Sequence, residues 1–261
     1  MHLERRLTTL FGRPSRVGAL RVRAFPLRVE VEAVRVGGAT AAAPPFLEVD
    51  RAVALPSISS PLGGLRLREL RLRGLRARVE AYEKGGDDLP HLHLPAGGGQ
   101  ASLGRLVVED AELLVDHRRV PLSLDLPDVH GTLFAEASGA LAGRLSFGAG
   151  DVRVAGHEPL RLASELRVRL HGGHLEVPFA RVQSEKTDLS GGGALDLSPA
   201  LRGEFTLAGP VDLGVLDRHV LASGLGLSGH ARYQGLLRVV GSSSSSTDGW
   251  RARRASSRGW P

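Results

Sequence analysis

Histidine and carboxylate side chains are the groups of this chain that could bind a metal or perform acid–base chemistry, because the sequence contains no cysteine. Two histidine pairs are close in sequence, His91 with His93 and His171 with His174. A protein zinc site needs three or four ligands, and neither pair has an evident third. We therefore expect no metal and no cofactor, and we interpret His171 and His174 as cross-strand neighbours beside a turn.

Sequence signatures of other catalytic sites are also missing. The glycine run at 191–193 lacks the lysine that follows in a phosphate-binding loop, and no G-x-S-x-G nucleophile motif is present. Carboxylates such as Asp50, Asp125 and Asp196 fall at expected strand edges or turns. These absences predict a protein that is not an enzyme and that acts through its shape.

The net charge of +6 comes almost entirely from arginine, since Lys84 and Lys186 are the only lysines. A basic chain can bind nucleic acid or anionic lipid. Here, however, the arginines alternate with leucines, which is typical of the solvated face of a strand. We expect no nucleic-acid partner. The 42% of hydrophobic residues include few aromatics, which favours a thin apolar layer over a thick core.

Alternating apolar and polar residues on both sides of Gly172-Gly173 predict a β-hairpin with these glycines as its turn. The register would place Leu170 opposite Leu175, Val168 opposite Val177, and Leu166 opposite Phe179. One face of the hairpin would be wholly apolar. The other face would carry Arg169 opposite Glu176.

The most regular stretch of the sequence, residues 61–82, follows the same pattern. Its leucines share one face only if the strand breaks near Glu69 and near Gly74. The opposite face then carries the arginines at 66, 68, 71, 73, 76 and 78. In the next block, a tight turn at His117-Arg118 would pair Val115 with Val120, Leu113 with Leu122, and Ala111 with Leu124.

Three segments follow from these patterns: a helix at 1–13, a β domain at 14–240 and a disordered tail at 241–261. The helix has Leu3, Leu7 and Leu10 on one side, and we expect it to lie against the end of the sheet rather than on a membrane surface. One or two further helical turns are expected between Leu213 and Leu221. No run of residues approaches the ~18 apolar residues of a membrane helix, and no signal peptide is recognisable.

The predicted fold is all-β: a long, curved antiparallel sheet that forms an open trough, with a short N-terminal amphipathic helix. A sheet of a dozen or so strands without covering helices must curl to shelter its apolar face. A long apolar trough suits acyl chains. The candidate lining residues are Leu65, Leu67, Leu113, Val115, Leu122, Leu124, Leu145, Phe147, Leu166, Val168, Leu170, Leu175, Val177 and Phe179.

Several stretches resemble the AsmA-like and TamB-like proteins of the Gram-negative envelope. They are residues 7–37, residues 62–86, SGALAGRLSF at 138–147 and GGALDLSPALRGEFTLAG at 192–209. The resemblance covers about residues 3–240 and corresponds to an N-terminal portion of those proteins. It implies a β-taco fold and a role in moving phospholipid between membranes on the periplasmic side. It also implies an inner-membrane anchor, which this chain lacks, so we expect that anchor to be missing or to lie upstream.

Two other functions are compatible with such a sheet. A scaffold for outer-membrane protein assembly would use the strand edges for strand addition, with outer-membrane assembly proteins as partners. A structural β-solenoid would show a fixed repeat length, which the sequence does not contain.

Overall fold

The computed structural model describes residues 2–40, 42–57, 66–81, 102–117, 122–196, 202–221 and 226–240. Within this part of the chain, one sheet contains every strand. The strands are β1 (Ser15–Ala24), β2 (Leu27–Val36), β3 (Leu47–Pro56), β4 (Arg66–Ala81), β5 (Ser102–Leu103), β6 (Arg105–His117), β7 (Leu122–Ala135), β8 (Leu141–Val154), β9 (Leu160–His171), β10 (His174–Ser184), β11 (Thr187–Asp196), β12 (Arg202–Asp212) and β13 (His230–Val240). The helices are α1 (His2–Phe11) and α2 (Leu213–Leu216), and a π-helical turn, Asp217–Leu221, follows α2.

The sheet is open and curved, and its strands are neighbours in the order in which they occur along the chain. The outer strands β1 and β13 do not pair with each other, and the short β5 extends the edge of β4. The predicted all-β trough with a short N-terminal helix is therefore confirmed. Among the long described strands, one pairing departs from the antiparallel pattern, because β4 and β6 run parallel. The predicted loop at 83–101 between them lies outside the described residues.

Bulges at one level of the sheet keep the apolar residues on the same face of successive strands. Val34, Val49, Leu75, Ala111 and Val129 lie side by side on β2, β3, β4, β6 and β7. On four of these strands the residue just before has a positive φ: Ala33, Gly74, Asp110 and Asp128. A bulge shifts the side-chain alternation by one residue, so the apolar series continues beyond it. The positive φ of Gly74 confirms the break predicted there. A register shift opposite Glu69 confirms the break predicted near that residue.

The hairpin at Gly172-Gly173 forms with the predicted register next to its turn. Both glycines have positive φ, and Leu175 lies opposite Leu170. A bulge then follows between Glu176 and Phe179, because Pro178 has no N–H for the ladder. The predicted pairing of Leu166 with Phe179 is therefore wrong: Leu166 lies opposite Ala180, and Phe179 lies opposite Arg167.

The predicted turn at His117-Arg118 is also wrong. His117 pairs with Leu122, so the connection is longer, and the two strands shift relative to each other. Leu113 then lies opposite Leu126, Val115 opposite Leu124, and Ala111 opposite Val129. Pro121 explains the difference, since the tight turn would have placed this proline inside the ladder. The shift leaves apolar residues facing apolar residues.

The apolar layer of β7–β12 alternates large side chains with glycine across the strands. Gly143 separates Leu133 on β7 from Val168 on β9, and Gly193 separates Phe205 on β12 from Val177 on β10. A Cβ on Gly193 would lie 2.7 Å from the Phe205 ring. Because both glycines lack side chains, Leu133 and Phe205 reach over them to the Val168–Val177 cluster. Alternation of small and large residues lets the inner face of a curved sheet fill without overcrowding.

The two ends of the trough differ. At one end, Asp212 accepts hydrogen bonds from the N–H groups of Gly214 and Val215 and so starts α2. The π-helical turn contacts the connection between β8 and β9, where His219 Nδ1 lies 2.8 Å from the Glu158 carbonyl oxygen. We call this the α2 end. The opposite end, where β1 and β2 join at Phe25-Pro26, is the Phe25 end.

The N-terminal helix lies along the outer edge of the sheet at the start of β1. The Ser15 N–H donates to Thr8 Oγ1, and the Val17 N–H donates to the Glu4 carboxylate, which lowers the pKa of Glu4. The helix contacts β1 and β2, as expected for a helix that packs against the sheet. None of the described helices has the length and apolar character needed to cross a membrane.

Candidate functional site: the apolar face of the sheet

The face of the sheet that carries the leucines and valines is the candidate functional site. The registers between neighbouring strands place eleven of the predicted lining residues on this apolar face. Of these, Val168 and Val177 are buried, with 4% exposed each. The other nine are half-buried: Leu67, Leu113, Val115, Leu124, Leu145, Phe147, Leu166, Leu170 and Leu175.

Three predicted lining residues do not join this group. Phe179 points to the opposite face, where the guanidinium of Arg167 lies 5.6 Å from its ring centroid. The bulge at Pro178 causes this reversal, and Ala180 occupies the apolar position instead. Leu65 lies outside the described residues. The backbone of Leu122 is described as part of β7, and its side chain is not.

The structure places further apolar residues on this face. Ala180 is buried with Val168 and Val177, and Leu133 and Phe205 pack against this cluster. Leu126 faces Leu113 across β6 and β7. Leu126, Leu133 and Phe205 belong to the alternating pattern of the sequence and could be found from it. Ala180 could be found only by placing the bulge at Pro178.

The opposite face is charged, and three arginines of β4 are paired with carboxylates. On β4, Arg71 contacts Glu69 at 3.0 Å, Arg73 contacts Asp110 at 3.0 Å, and Arg76 contacts Asp50 at 3.3 Å. The three arginine side chains are about half exposed or more, so each pair contributes little stability. The segregation of charge from the leucine face makes the sheet amphipathic.

One carboxylate on the charged face is fully buried. Glu30 has 1% of its side chain exposed and contacts the guanidinium groups of Arg28 at 2.6 Å and Arg51 at 3.0 Å. Arg23 lies farther away, at 3.9 Å. The hydrogen bond from Arg51 holds the pKa of Glu30 below its ordinary value. A single carboxylate therefore joins three strands of the charged face.

A cluster on the charged face has the spacing of metal ligands. Asp110, Asp128 and His130 each offer an atom within 4.8 Å of the others. Arg73 Nε lies 3.0 Å from Asp110 Oδ2, and His130 Nε2 lies 2.7 Å from Asp128 Oδ1. The guanidinium already neutralises Asp110, and the side chains are exposed to solvent. We therefore interpret the cluster as an ion-pair network across the bulges.

A shallow concavity of about 720 Å³ also lies beside the ion pair of Arg181 and Asp188, between β10 and β13. The hydrogen bond from Arg181 lowers the pKa of Asp188. Arg181 and Asp188 satisfy each other's charge, and Arg232 is the remaining charged residue of the lining. The apolar face remains the larger candidate surface.

Comparison of the chain with protein-family models, curated proteins and solved structures finds no match. The geometry of the two faces is therefore the structural basis for a function.

Proposed function

We propose that the protein is a non-enzymatic lipid-binding module that holds phospholipid acyl chains against its apolar face and transfers them between envelope membranes. The observation that supports this proposal is the continuity of that face. Aligned bulges carry it without interruption from β2 to β7, and glycine-separated clusters extend it to β12. Within the described part of the chain, no second sheet or long helix covers it.

The energetics of burial favour a ligand with a long apolar part. Each methylene group removed from water contributes about 0.8 kcal/mol. About ten buried methylenes would therefore supply about 8 kcal/mol, before the costs of ordering the chain are subtracted. The half-buried leucines and valines gain from the same contact, because their remaining exposed surface is covered. The envelope location in this proposal comes from the AsmA-like and TamB-like resemblance.

Two adjacent leucines on β6 provide a matched test of the proposal. Leu113 lies on the apolar face opposite Leu126, whereas Leu114 lies on the charged face opposite Asp125. Both side chains are half-buried. We expect Leu113→Asn to weaken binding of a fluorescent phospholipid to the delipidated protein about tenfold. The free energy gained when one leucine side chain is covered by the ligand corresponds to about a tenfold change in affinity. Leu114→Asn should bind like the wild type.

Thermal melts of both variants establish that each is folded before binding is compared. Native mass spectrometry of the wild type should show phospholipid that co-purifies. Equal affinity of Leu113→Asn and Leu114→Asn would contradict binding at the apolar face, and so would a wild-type protein that binds no phospholipid.

A scaffold that uses exposed strand edges is the second candidate, and the state of β1 favours it. The outer edge of β1 pairs with no described strand, and α1 accepts hydrogen bonds from the N–H groups of Ser15 and Val17 near its start. An added strand could pair with the rest of this edge. Capture of an unfolded outer-membrane protein with equal efficiency by Leu113→Asn and by the wild type would favour this candidate.

A further inference from the structure

The hairpin tip between β1 and β2 combines exposed apolar side chains with arginines. Phe25, in the turn, is 99% exposed, and Val22 is 64% exposed. Leu20 and Leu27 are exposed as well, so this short hairpin holds four of the eight exposed large apolar side chains in the described part of the chain. By contrast, Phe134, another exposed ring, stacks with Arg105 at 5.3 Å. An isolated exposed apolar residue is ordinary, and a cluster indicates an interaction surface.

The other face of the same tip carries an excess of positive charge. Arg21 pairs with Glu32 at 2.9 Å. Glu30 is shared by Arg23, Arg28 and Arg51. These four guanidinium groups meet two carboxylates, so two positive charges remain uncompensated. The guanidinium groups of Arg21 and Arg23 are more than half exposed.

The register separates the two kinds of residue. Leu20 pairs with Val31 and Val22 with Val29, and the arginines occupy the alternate positions. The tip therefore presents an apolar face, a protruding aromatic ring and a cationic face within one hairpin. This is the arrangement of an element that lies at a membrane interface, where the apolar side enters the acyl boundary and the cations contact anionic headgroups.

We propose that the β1–β2 tip docks the protein on an anionic phospholipid bilayer, with Phe25 inserted at the headgroup boundary. The inference goes beyond the proposed function, because it concerns attachment to a surface and stands whether or not the apolar face holds lipid. The tip lies at the Phe25 end, away from the α2 end with its helical turns. Docking would therefore bring the end of the trough without α2 to the membrane.

The experiment uses the absence of cysteine from the chain, which allows a fluorophore to be attached at one position. Phe25→Cys carries an environment-sensitive NBD label, and Lys186→Cys, in the turn between β10 and β11 at the α2 end, is the matched control. Vesicles of phosphatidylglycerol with phosphatidylcholine are added, and vesicles of phosphatidylcholine alone serve as the comparison. We expect a blue shift and an increase of fluorescence at position 25 with the anionic vesicles only, and no change at position 186.

Vesicle co-sedimentation measures the contribution of the ring. We expect Phe25→Ser to bind anionic vesicles about tenfold more weakly than the wild type, because removing one phenyl ring from water contributes about that factor. Tyr233→Ser, which removes an exposed ring from the opposite outer strand, should bind like the wild type. Added salt should weaken the binding of all three proteins.

Three results would overturn the proposal. The first is failure of the wild type to bind anionic vesicles, and the second is equal binding by Phe25→Ser. The third is vesicle binding without a change at position 25, which would assign the contact to another basic segment, such as the arginines at 251–254 of the sequence. Solution binding of fluorescent phospholipid by Phe25→Ser should stay unchanged, so that failure of docking and failure of lipid binding can be told apart.

Discussion

Glu30 shows how a single side chain can join three strands. A buried carboxylate is stable only when charge and hydrogen bonds replace the lost water, and here guanidinium groups of β2 and β3 lie within 3.0 Å of its oxygens. Arg23 of β1 adds a more distant charge. Loss of the carboxylate would leave these arginines facing one another without a counter-charge.

Replacement of Glu30 by glutamine should lower the unfolding temperature at neutral pH by several degrees. The pKa of Glu30 is lower in the folded protein than its ordinary value of 4.5, so the stabilisation is complete above that value and is lost as the pH falls through the lowered pKa. The difference in unfolding temperature between the wild type and Glu30→Gln should therefore shrink on acidification. Thermal melts followed by circular dichroism from neutral to acid pH measure it.

Glu32→Gln is the control, because Glu32 is about one third exposed and forms an ion pair with the exposed Arg21. Its effect should be small at every pH. A difference between the wild type and Glu30→Gln that stays constant down to acid pH would contradict the assigned role of the carboxylate.

The orientation of individual side chains follows from the sequence wherever alternation is uninterrupted. Val168, Leu170 and Leu175 lie on the expected face. Phe179 does not, because the missing N–H of Pro178 forces a bulge that continuous alternation cannot reveal. Uninterrupted alternation alone therefore assigns apolar candidates to a face only between prolines and bulges.

At the scale of the strands, the bulges at one level of the sheet decide whether the apolar face is continuous. Gly74 on β4 adopts a φ of +61°, and a Cβ at this position would lie 2.9 Å from the Cβ of Asp50. A side chain would therefore meet both backbone strain and a neighbouring strand. The bulge of β4 requires glycine for two independent reasons.

Replacement of Gly74 by alanine should lower the free energy of unfolding by about 2–4 kcal/mol, from the strain of a positive φ and the contact with Asp50. Gly139 is the matched control, since its φ is +82° and no atom lies within 4 Å of a Cβ there. Gly139→Ala should cost only the conformational strain, about 1–2 kcal/mol. Urea unfolding of the two variants measures the difference, and equal losses would show that the contact with Asp50 is relieved.

Some of these bulges could be predicted and others could not. The breaks near Glu69 and Gly74 follow from the requirement that all leucines of β4 share one face. Asp110 and Asp128 also adopt positive φ. Aspartate tolerates a positive φ, but an aspartate in a sequence does not by itself indicate one. Their bulges become visible only when the registers of neighbouring strands are known.

For the whole molecule, the sequence predicts an open, curved sheet with one apolar face, and the structure confirms it. The parallel pairing of β4 with β6 was not predicted, because local hairpin patterns specify antiparallel neighbours. Parallel neighbours need a crossover of about a dozen residues or more. Composition and alternation do not reveal which connection provides one.

That parallel pair divides the chain into two consecutive antiparallel meanders, β1–β4 and β6–β13. Apart from the short β5, every described pairing between them runs through β4 and β6. We expect fragments 1–90 and 91–261, expressed together, to purify as one complex, because a cut between residues 82 and 101 breaks no described pairing. Failure of the fragments to associate would show that the connection itself is required. Association of the fragments would show that the β4–β6 interface assembles as an interface between two subunits does, without a covalent link.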